Sequence, residues 1–276
     1  MGLSVYNNVE AQNAHRVLSN TGTQLSKSME RLSSGLRINR AADDAAGLAV
    51  SEGMRAQIRG MSVASRNAQD GVSMVQVADG ALGNVGDMLQ RVRDLAVQAS
   101  NGTLTDAQRK NLDAEVQQVL TEIGKTGTDT EFNGLKILAG SVATAASAVT
   151  LQVGANNNQT IAFTIGTVSA SDLGISGIAV STAASASAAI ASIDAAISTV
   201  TTSRANLGAI QNRLEHTINR LGMTTENLQA AESRIRDADM AQEMIKFTKN
   251  QILQQSGTAM LAQANQAPQS VLSLLR

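Results

Sequence analysis

The side chains of this chain best suited to proton transfer or zinc binding near neutral pH are its two histidines, His15 and His216. Neither has a second His, a Cys or a carboxylate at ligand spacing, and no HExxH run occurs, so both read as solvated histidines on helix surfaces. Gly124-Lys125-Thr126 has the last residues of a phosphate-binding loop, in which backbone amides and a lysine cradle a nucleotide. The loop's first glycine is replaced by Val119, and the preceding segment has helical rather than strand periodicity, so the match is accidental. Gly80, Gly83 and Gly86 recur every third residue, which on a helix indicates close helix approach or local flexibility. Asp43-Asp44, and Asp237 with Asp239, could form acid pairs or a calcium site. Without a DxDxDG loop and its distant Glu, they are expected to cap helices or make interhelix contacts. Cysteine is absent, which removes thiolate catalysis, disulfides and Cys-ligated metal. The expectation is a protein without catalytic activity, cofactor or metal.

What is regular lies elsewhere. Leu207, Leu214, Leu221, Leu228 and Ile235 recur every seventh residue, and near the other end Leu18, Leu25 and Leu32 interleave with Met29 and Leu36 at steps of three and four. That spacing keeps one seam of a helix apolar and suits it to lie against another helix. A joint is expected near residues 35–45, where Gly35 and the run RAADDAAG blur the seam. Val50, Met54, Ile58 and Met61, then Val75, Leu82 and Leu89, restore it. Asn101-Gly102 signals a turn, and Thr105 with Gln108 forms a capping box that opens a helix through Leu112, Val116, Val119, Leu120 and Ile123, closed by Gly124 or Gly127.

From Ile137 to Ser203 the only charged residues are Asp172 and Asp194. LQVG at 151 and TIAFTIG at 160 are rich in β-branched residues around a GANNNQ turn, predicting a small hairpin, with a second one around Phe132-Asn133-Gly134. The Ala and Ser run from Ser181 to Ser192 passes into helix. The last seam runs from Leu207 through Leu221 to Ile252, with a short amphipathic stretch after Pro268. First and last helices pair antiparallel.

Composition agrees with thin seams rather than a bulky core. Tyr6, Phe132, Phe163 and Phe247 are the only aromatics, Trp is absent, and Pro268 is the single proline in 276 residues. The balance of 22 basic against 23 acidic residues gives a formal charge of −1, which offers no electrostatic footprint for nucleic acid or an anionic membrane. No stretch reaches the length of a membrane-spanning run, and the opening MGLSVYNNVEAQ lacks the pattern of a cleaved signal peptide. The expected fold is mainly α: an elongated antiparallel helical bundle or coiled coil formed by the N- and C-terminal segments, with a small β-hairpin region in the middle. Because the ends hold the best helical sequence, the expected function is assembly through the ends.

Several segments are too long and idiosyncratic to come from coiled-coil composition. RLSSGLRINRAADDAAGLAVSE at 31–52, LQRVRDLAVQASNGT at 89–103, FNGLKIL at 132–138, LQVGAN at 151–156 and the run from Ser233 to Arg276 resemble bacterial flagellin. The resemblance implies a subunit that self-assembles into the flagellar filament for swimming. Residues 1–44 with 236–276 would form a terminal coiled coil lining the filament channel, and 45–235 a helical domain with β-hairpins and a short variable segment near 140–185. It further implies extracellular localisation after unfolded export through the flagellar channel without a cleaved signal peptide. The implied partners are copies of itself, an export chaperone at the C-terminal segment, a filament cap protein, hook–filament junction proteins and a host's Toll-like receptor 5; nucleic acid binding and membrane insertion are not implied. For the receptor the matching residues are Arg91, Leu95 and Glu115, where the alternative role is filament contact, with Arg91 pairing an acid and Leu95 packed between subunits. Asp94 stands where the family pattern has Glu. The assembly seams are then Leu18, Leu25, Met29, Leu32, Leu36, Leu207, Leu214, Leu221, Leu228 and Ile235. The alternatives are a hook–filament junction protein, expected to diverge in the C-terminal segment, and another coiled-coil assembly protein such as an adaptor or chaperone, expected to stay a small oligomer.

Overall fold

A computed structural model describes residues 7–140, 142–143 and 147–274, with side chains described as far as residue 266. In chain order the elements are α1 (Val9–Ser34), α2 (Ala45–Ser100), α3 (Asp106–Asp129), β1 (Glu131–Phe132), β2 (Leu135–Lys136), β3 (Val149–Gln152), β4 (Thr160–Phe163), α4 (Ala183–Arg236) and α5 (Met240–Leu274). The chain is mainly helical, as its periodicity predicts, and it divides into two units: residues up to Ala56 together with those from Asn227 onward, and Gln57–Glu226.

The terminal unit pairs α1 with α5. The Asn8 side chain caps α1 by accepting from the Ala11 amide, and Gly35, at φ 73°, ends it by turning into the left-handed region that a side chain disfavours. The next residues lie along the α4–α5 joint, where Leu36 forms an antiparallel bridge with Asp237. The Arg37 amide donates to the Arg236 carbonyl at 2.6 Å, and the Ala238 amide to the Gly35 carbonyl at 2.9 Å. All four singled-out aspartates do local backbone or side-chain work here. Asp43 accepts from the amides of Asn39 and Arg40, Asp44 from Gly47, Asp239 from Ala241 and Gln242, and Asp237 from the Ser233 hydroxyl. The Arg40 amide, against a smaller opposing effect of burial, holds the Asp43 carboxyl below its ordinary value. The amphipathic stretch expected after Pro268 is helical in backbone as part of α5, while its side chains lie outside the described residues.

The central unit has its own core. Leu82, Leu89, Leu95, Ile123, Ile193, Leu207 and Leu214 are buried, joined by Ile137, Ile165 and Ile175 from the irregular chain between the helices. The capping box of α3 is present, with the Thr105 amide donating to Gln108 Oε1 at 2.9 Å and the Gln108 amide to Thr105 Oγ1 at 3.4 Å. Buried Arg109 then closes the end of α2, donating to the carbonyls of Ala99 and Asn101. Thr182 and Ser185 form a reciprocal cap on α4, so most of the Ala and Ser run lies inside that helix.

Both expected hairpins form. β1 pairs β2 across the Asn133-Gly134 turn, whose two residues take φ of 50° and 76°, the mirror-image turn that favours Asn-Gly. β3 pairs β4 antiparallel, with Val149 opposite Phe163 and Gln152 opposite Thr160. The second hairpin rests on α2: a Cβ at Gly60 would fall 2.8 Å from that of Ala155, and one at Gly71 would strike Leu151.

Three expectations need correction, and one further feature of α4 bears on the composition. Neither Gly124 nor Gly127 ends α3, which continues to Asp129; the helix tolerates Gly127 because only a residue without Cβ can pass the Val168 carbonyl. Gly80 and Gly86 mark no close helix approach, having open space about them, and Gly83 has only the Arg204 guanidinium near. Val50 is half exposed, and Ser51 takes the seam position beside Met54 and Ile58. One window of α4 is apolar enough to resemble a membrane span, at mean hydropathy 1.4. Its Ala186, Ala189, Ile193 and Ala196 lie in the core instead, alanine having raised the hydropathy without adding bulk.

Candidate assembly surface

The α1–α5 pair is antiparallel: the Asn8 side-chain amide donates to the Ala264 carbonyl at 2.8 Å near one end, and the Ser28 hydroxyl to Glu243 Oε1 at 2.7 Å near the other. On α1 one stripe of less exposed positions is Ala11, Ala14, Leu18, Thr21, Leu25, Ser28 and Leu32, with Gly22, Glu30 and Arg31 beside it; on α5 the less exposed positions are Glu243, Phe247, Asn250, Gln254, Gly257, Leu261 and Ala264. Both series advance by alternating threes and fours, the coiled-coil period.

The chemistry of the two faces of α5 is the reverse of a self-contained helix. Its two most buried described side chains are Glu243 and Asn250, whereas Met244, Ile245, Ile252, Leu253 and Met260 are 46–69% exposed. Met244, Ile245, Ile252 and Leu253 line an apolar hollow of about 520 Å³. Leu253 and Met260 also line a groove of about 680 Å³ against Val17, Leu18 and Thr21 of α1. The expected continuation of the seam to Ile252 is therefore wrong, because Ile252 points away from α1 at 57% exposure.

Glu243 is held by three groups. Besides Ser28, Lys246 Nζ donates to Oε2 at 3.1 Å, and an Arg31 nitrogen lies 4.0 Å from the same oxygen. Burial alone would push this carboxyl up, but the Ser28 and Lys246 hydrogen bonds with the two positive charges leave it below its ordinary value.

The sequence-derived seam residues fall into three environments. Leu207, Leu214 and Leu221 are buried in the central unit; Leu18, Leu25, Leu32, Leu36, Leu228 and Ile235 are half-buried in the terminal unit; Met29 is 56% exposed, outside the α1–α5 seam. Glu243, Ser28 and the outward residues of α5 escaped the sequence reading. The available signal was the polar series Glu243, Asn250 and Gln254 at seam spacing, with Met and Ile on the remaining faces.

Arg91 and Glu115 meet across α2 and α3, with Arg91 Nη2 donating to Glu115 Oε1 at 2.6 Å on the surface. Leu95 is 2% exposed within the core of its own chain, so the expected packing between subunits does not describe it. His15 and His216 are both exposed on helices, and Gly124-Lys125-Thr126 lies within α3.

The profile of the bacterial flagellin N-terminal helical region matches residues 5–143, and that of the bacterial flagellin C-terminal helical region matches 190–275. A flagellin of Halalkalibacterium halodurans is 52% identical over 274 residues, covering 99% of each chain. The flagellar filament 33 kDa core protein of Treponema phagedenis is 49% identical over 284 residues, again covering 99% of each. A flagellin of Bacillus subtilis is 48% identical over 306 residues, covering 99% of this chain and 100% of its own. In fold alone, the chain is similar to the structure of a candidate flagellar hook-associated protein from Vibrio parahaemolyticus, at TM-score 0.58 and 13% identity, covering 71% of this chain and all of that one. With two family profiles spanning most of the chain and relatives near half identity along its whole length, the chain belongs to the bacterial flagellin family, structural proteins that self-assemble into the flagellar filament.

Proposed function

We propose that copies of this chain join through the outward faces of α1 and α5, and that the terminal helix pair lines the filament channel. The observation that carries the reading is α5, whose most enclosed side chains are the acid Glu243 and the amide Asn250 while Met244, Ile245, Ile252, Leu253 and Met260 face solvent. Full burial of such a side chain stabilises by roughly 1.5–3 kcal/mol, so a neighbouring copy covering several of them adds a favourable term that the isolated helix pair lacks. Repetition of that contact head to tail builds a helical polymer. In this reading residues 1–44 and 236–276 form the inner layer and 45–235 the outer one, with the low-charge stretch near 140–185 variable.

The flagellar filament that flagellins form is extracellular. This chain would reach it by unfolded export without a cleaved leader, helped by a chaperone on the C-terminal segment. A cap protein at the tip and junction proteins at the hook would complete its partners. Toll-like receptor 5 would read Arg91 and Glu115, whose ion pair is accessible, with Leu95 supporting the helix beneath them.

Seeded polymerisation tests the core of this proposal. Purified full chain, given short filament fragments, should sediment as long filaments visible by negative-stain electron microscopy. Ile252→Asp, Met260→Asp and a chain trimmed to residues 45–235 should not. Discrete small oligomers from full and trimmed chains alike would favour a junction protein or adaptor instead.

A further inference from the structure

The seam between α1 and α5 poses a problem of alignment. Leu18, Leu25 and Leu32 repeat every seven residues, so each can take the place of the next, and a slide by one heptad keeps leucines on the seam. Apolar packing therefore separates neighbouring registers weakly. Backbone bonds at the Leu36–Asp237 joint hold the end of α1 to the start of α5; along the seam itself one side-chain contact is not repeated. Ser28 and Glu243 are buried, at 4% and 5% exposure, and bonded to each other across 215 residues of chain.

We infer that the Ser28–Glu243 hydrogen bond is a register lock, selecting this alignment of α1 on α5 over those one heptad away. The inference rests on the reading that the two helices are paired in the assembled filament. Sliding α5 by seven residues sets Glu243 beside Gly35, which has no side chain, or beside Thr21, whose hydroxyl already donates to the Val17 carbonyl at 2.9 Å. The first slide leaves the carboxylate in the seam without a hydroxyl donor, and the second gives it one only by breaking the Thr21 hydroxyl's bond to Val17. Lys246 moves with Glu243 on the same helix and cannot tell the registers apart, whereas Arg31, on α1, is left behind. A hydrogen bond to a charged group is worth enough to favour the native register by about tenfold to a hundredfold. A single buried polar contact that fixes alignment at little net gain in stability is the best-attested use of such groups in helix pairs.

The chain has no cysteine, so introduced pairs report register without interference. A Cβ at Gly257 would lie 3.9 Å from Leu18 Cβ, within the separation of about 3.5–4.5 Å that a disulfide needs. Leu18→Cys with Gly257→Cys thus reads the native register, while Leu25→Cys or Ala11→Cys with Gly257→Cys reads the two slipped ones. The full chain carrying each pair is assembled at trace fraction into excess unmodified chain and oxidised. Disulfides within one chain are then quantified by non-reducing gel and peptide mass spectrometry.

The native pair should exceed either slipped pair by tenfold or more. Ser28→Ala and Glu243→Leu should each lower that ratio by about tenfold. An unchanged ratio in both Ser28→Ala and Glu243→Leu overturns the lock while leaving the pairing intact. Absence of every cross-link in filaments that sediment normally overturns the pairing itself, and the lock with it.

Discussion

The two units of this chain use opposite interiors. In the central unit the buried positions are leucine, isoleucine, valine and alanine, many of them fully enclosed. In the terminal unit Ile38 is the one fully buried apolar side chain among the described residues, and the other enclosed side chains are Thr21, Ser28, Ser51, Glu243 and Asn250. A unit with an apolar interior can hold itself together. A unit whose most enclosed side chains are polar, and which leaves apolar residues outward, has a favourable term still to gain from any surface that covers them. On the proposed reading, the difference separates the part of the subunit that folds by itself from the part that assembles.

The same substitution in each unit gives the sharpest test. Leu89→Asp places a carboxylate in a fully buried site of the central core and should unfold that unit, at a cost of about 4 kcal/mol or more, seen as loss of its cooperative melt. Leu32→Asp should leave the melt of the central unit unchanged and abolish filaments in a sedimentation assay, because Leu32 is half-buried in the single chain and, in the proposed assembly, neighbouring copies complete its seam. Equal loss of the melt in both variants would erase the distinction between the units.

Ile252→Asp sharpens the comparison at an exposed site. Its effect on monomer stability should stay within about 0.5 kcal/mol, since the side chain meets solvent in the single chain, while seeded growth should stop. Normal filaments from this variant would remove α5's outward face from the contact.

Glycines divide in a similar way within the central unit. Gly127→Ala should destabilise by about 1–3 kcal/mol, its methyl colliding with the Val168 carbonyl. Gly80→Ala, set in a helix with open space around it, should stabilise by about 0.5–1 kcal/mol. Chemical denaturation of the two variants would expose an error in either sign.

A smaller effect is expected on pH dependence. Because the Glu243 carboxyl is held below its ordinary 4.5, its contribution is present above about pH 4.5 and is lost as pH falls through its lower, folded value. Asp43 titrates in the same direction, and Asp44, Asp237, Asp239, Arg37 and Arg234 line the same polar hollow beside Glu243. Between about pH 5 and 3, protease resistance of the terminal helices in filaments should fall less steeply in Glu243→Gln than in the parent chain. By contrast the exposed pair of Arg204 with Asp79 should contribute under about 1 kcal/mol, and Asp79→Asn should hardly move the central melt.

Much of the fold was legible. The joint between α1 and α2, the Thr105–Gln108 box and both hairpins follow from local signals, namely a glycine, a capping pair and Asn-Gly or Gly-Ala-Asn turns between β-branched runs. What misled were features whose meaning depends on a distant neighbour. Gly127 reads as a helix end until the Val168 carbonyl beside it is known, and Gly80, Gly83 and Gly86 read as a packing motif until the space around them proves open. Leu95 and Ile252 are both apolar residues in helical sequence, yet one is enclosed and the other half exposed. Periodicity marks which residues share a face; it does not say what covers that face.

By itself the sequence determined that this chain is helical at both ends, joined near residue 40, low in charge in the middle and without the residue spacing of a catalytic site. Those properties reside in local periods, caps and composition, each a matter of a few adjacent residues. Only the tertiary structure decided that the last helix keeps Glu243 and Asn250 inside and turns Ile252 and Met260 out. The physical reason is that burial is a relation between segments: Ser28 and Glu243 stand 215 residues apart in the chain and 2.7 Å apart in space, and no local pattern connects them.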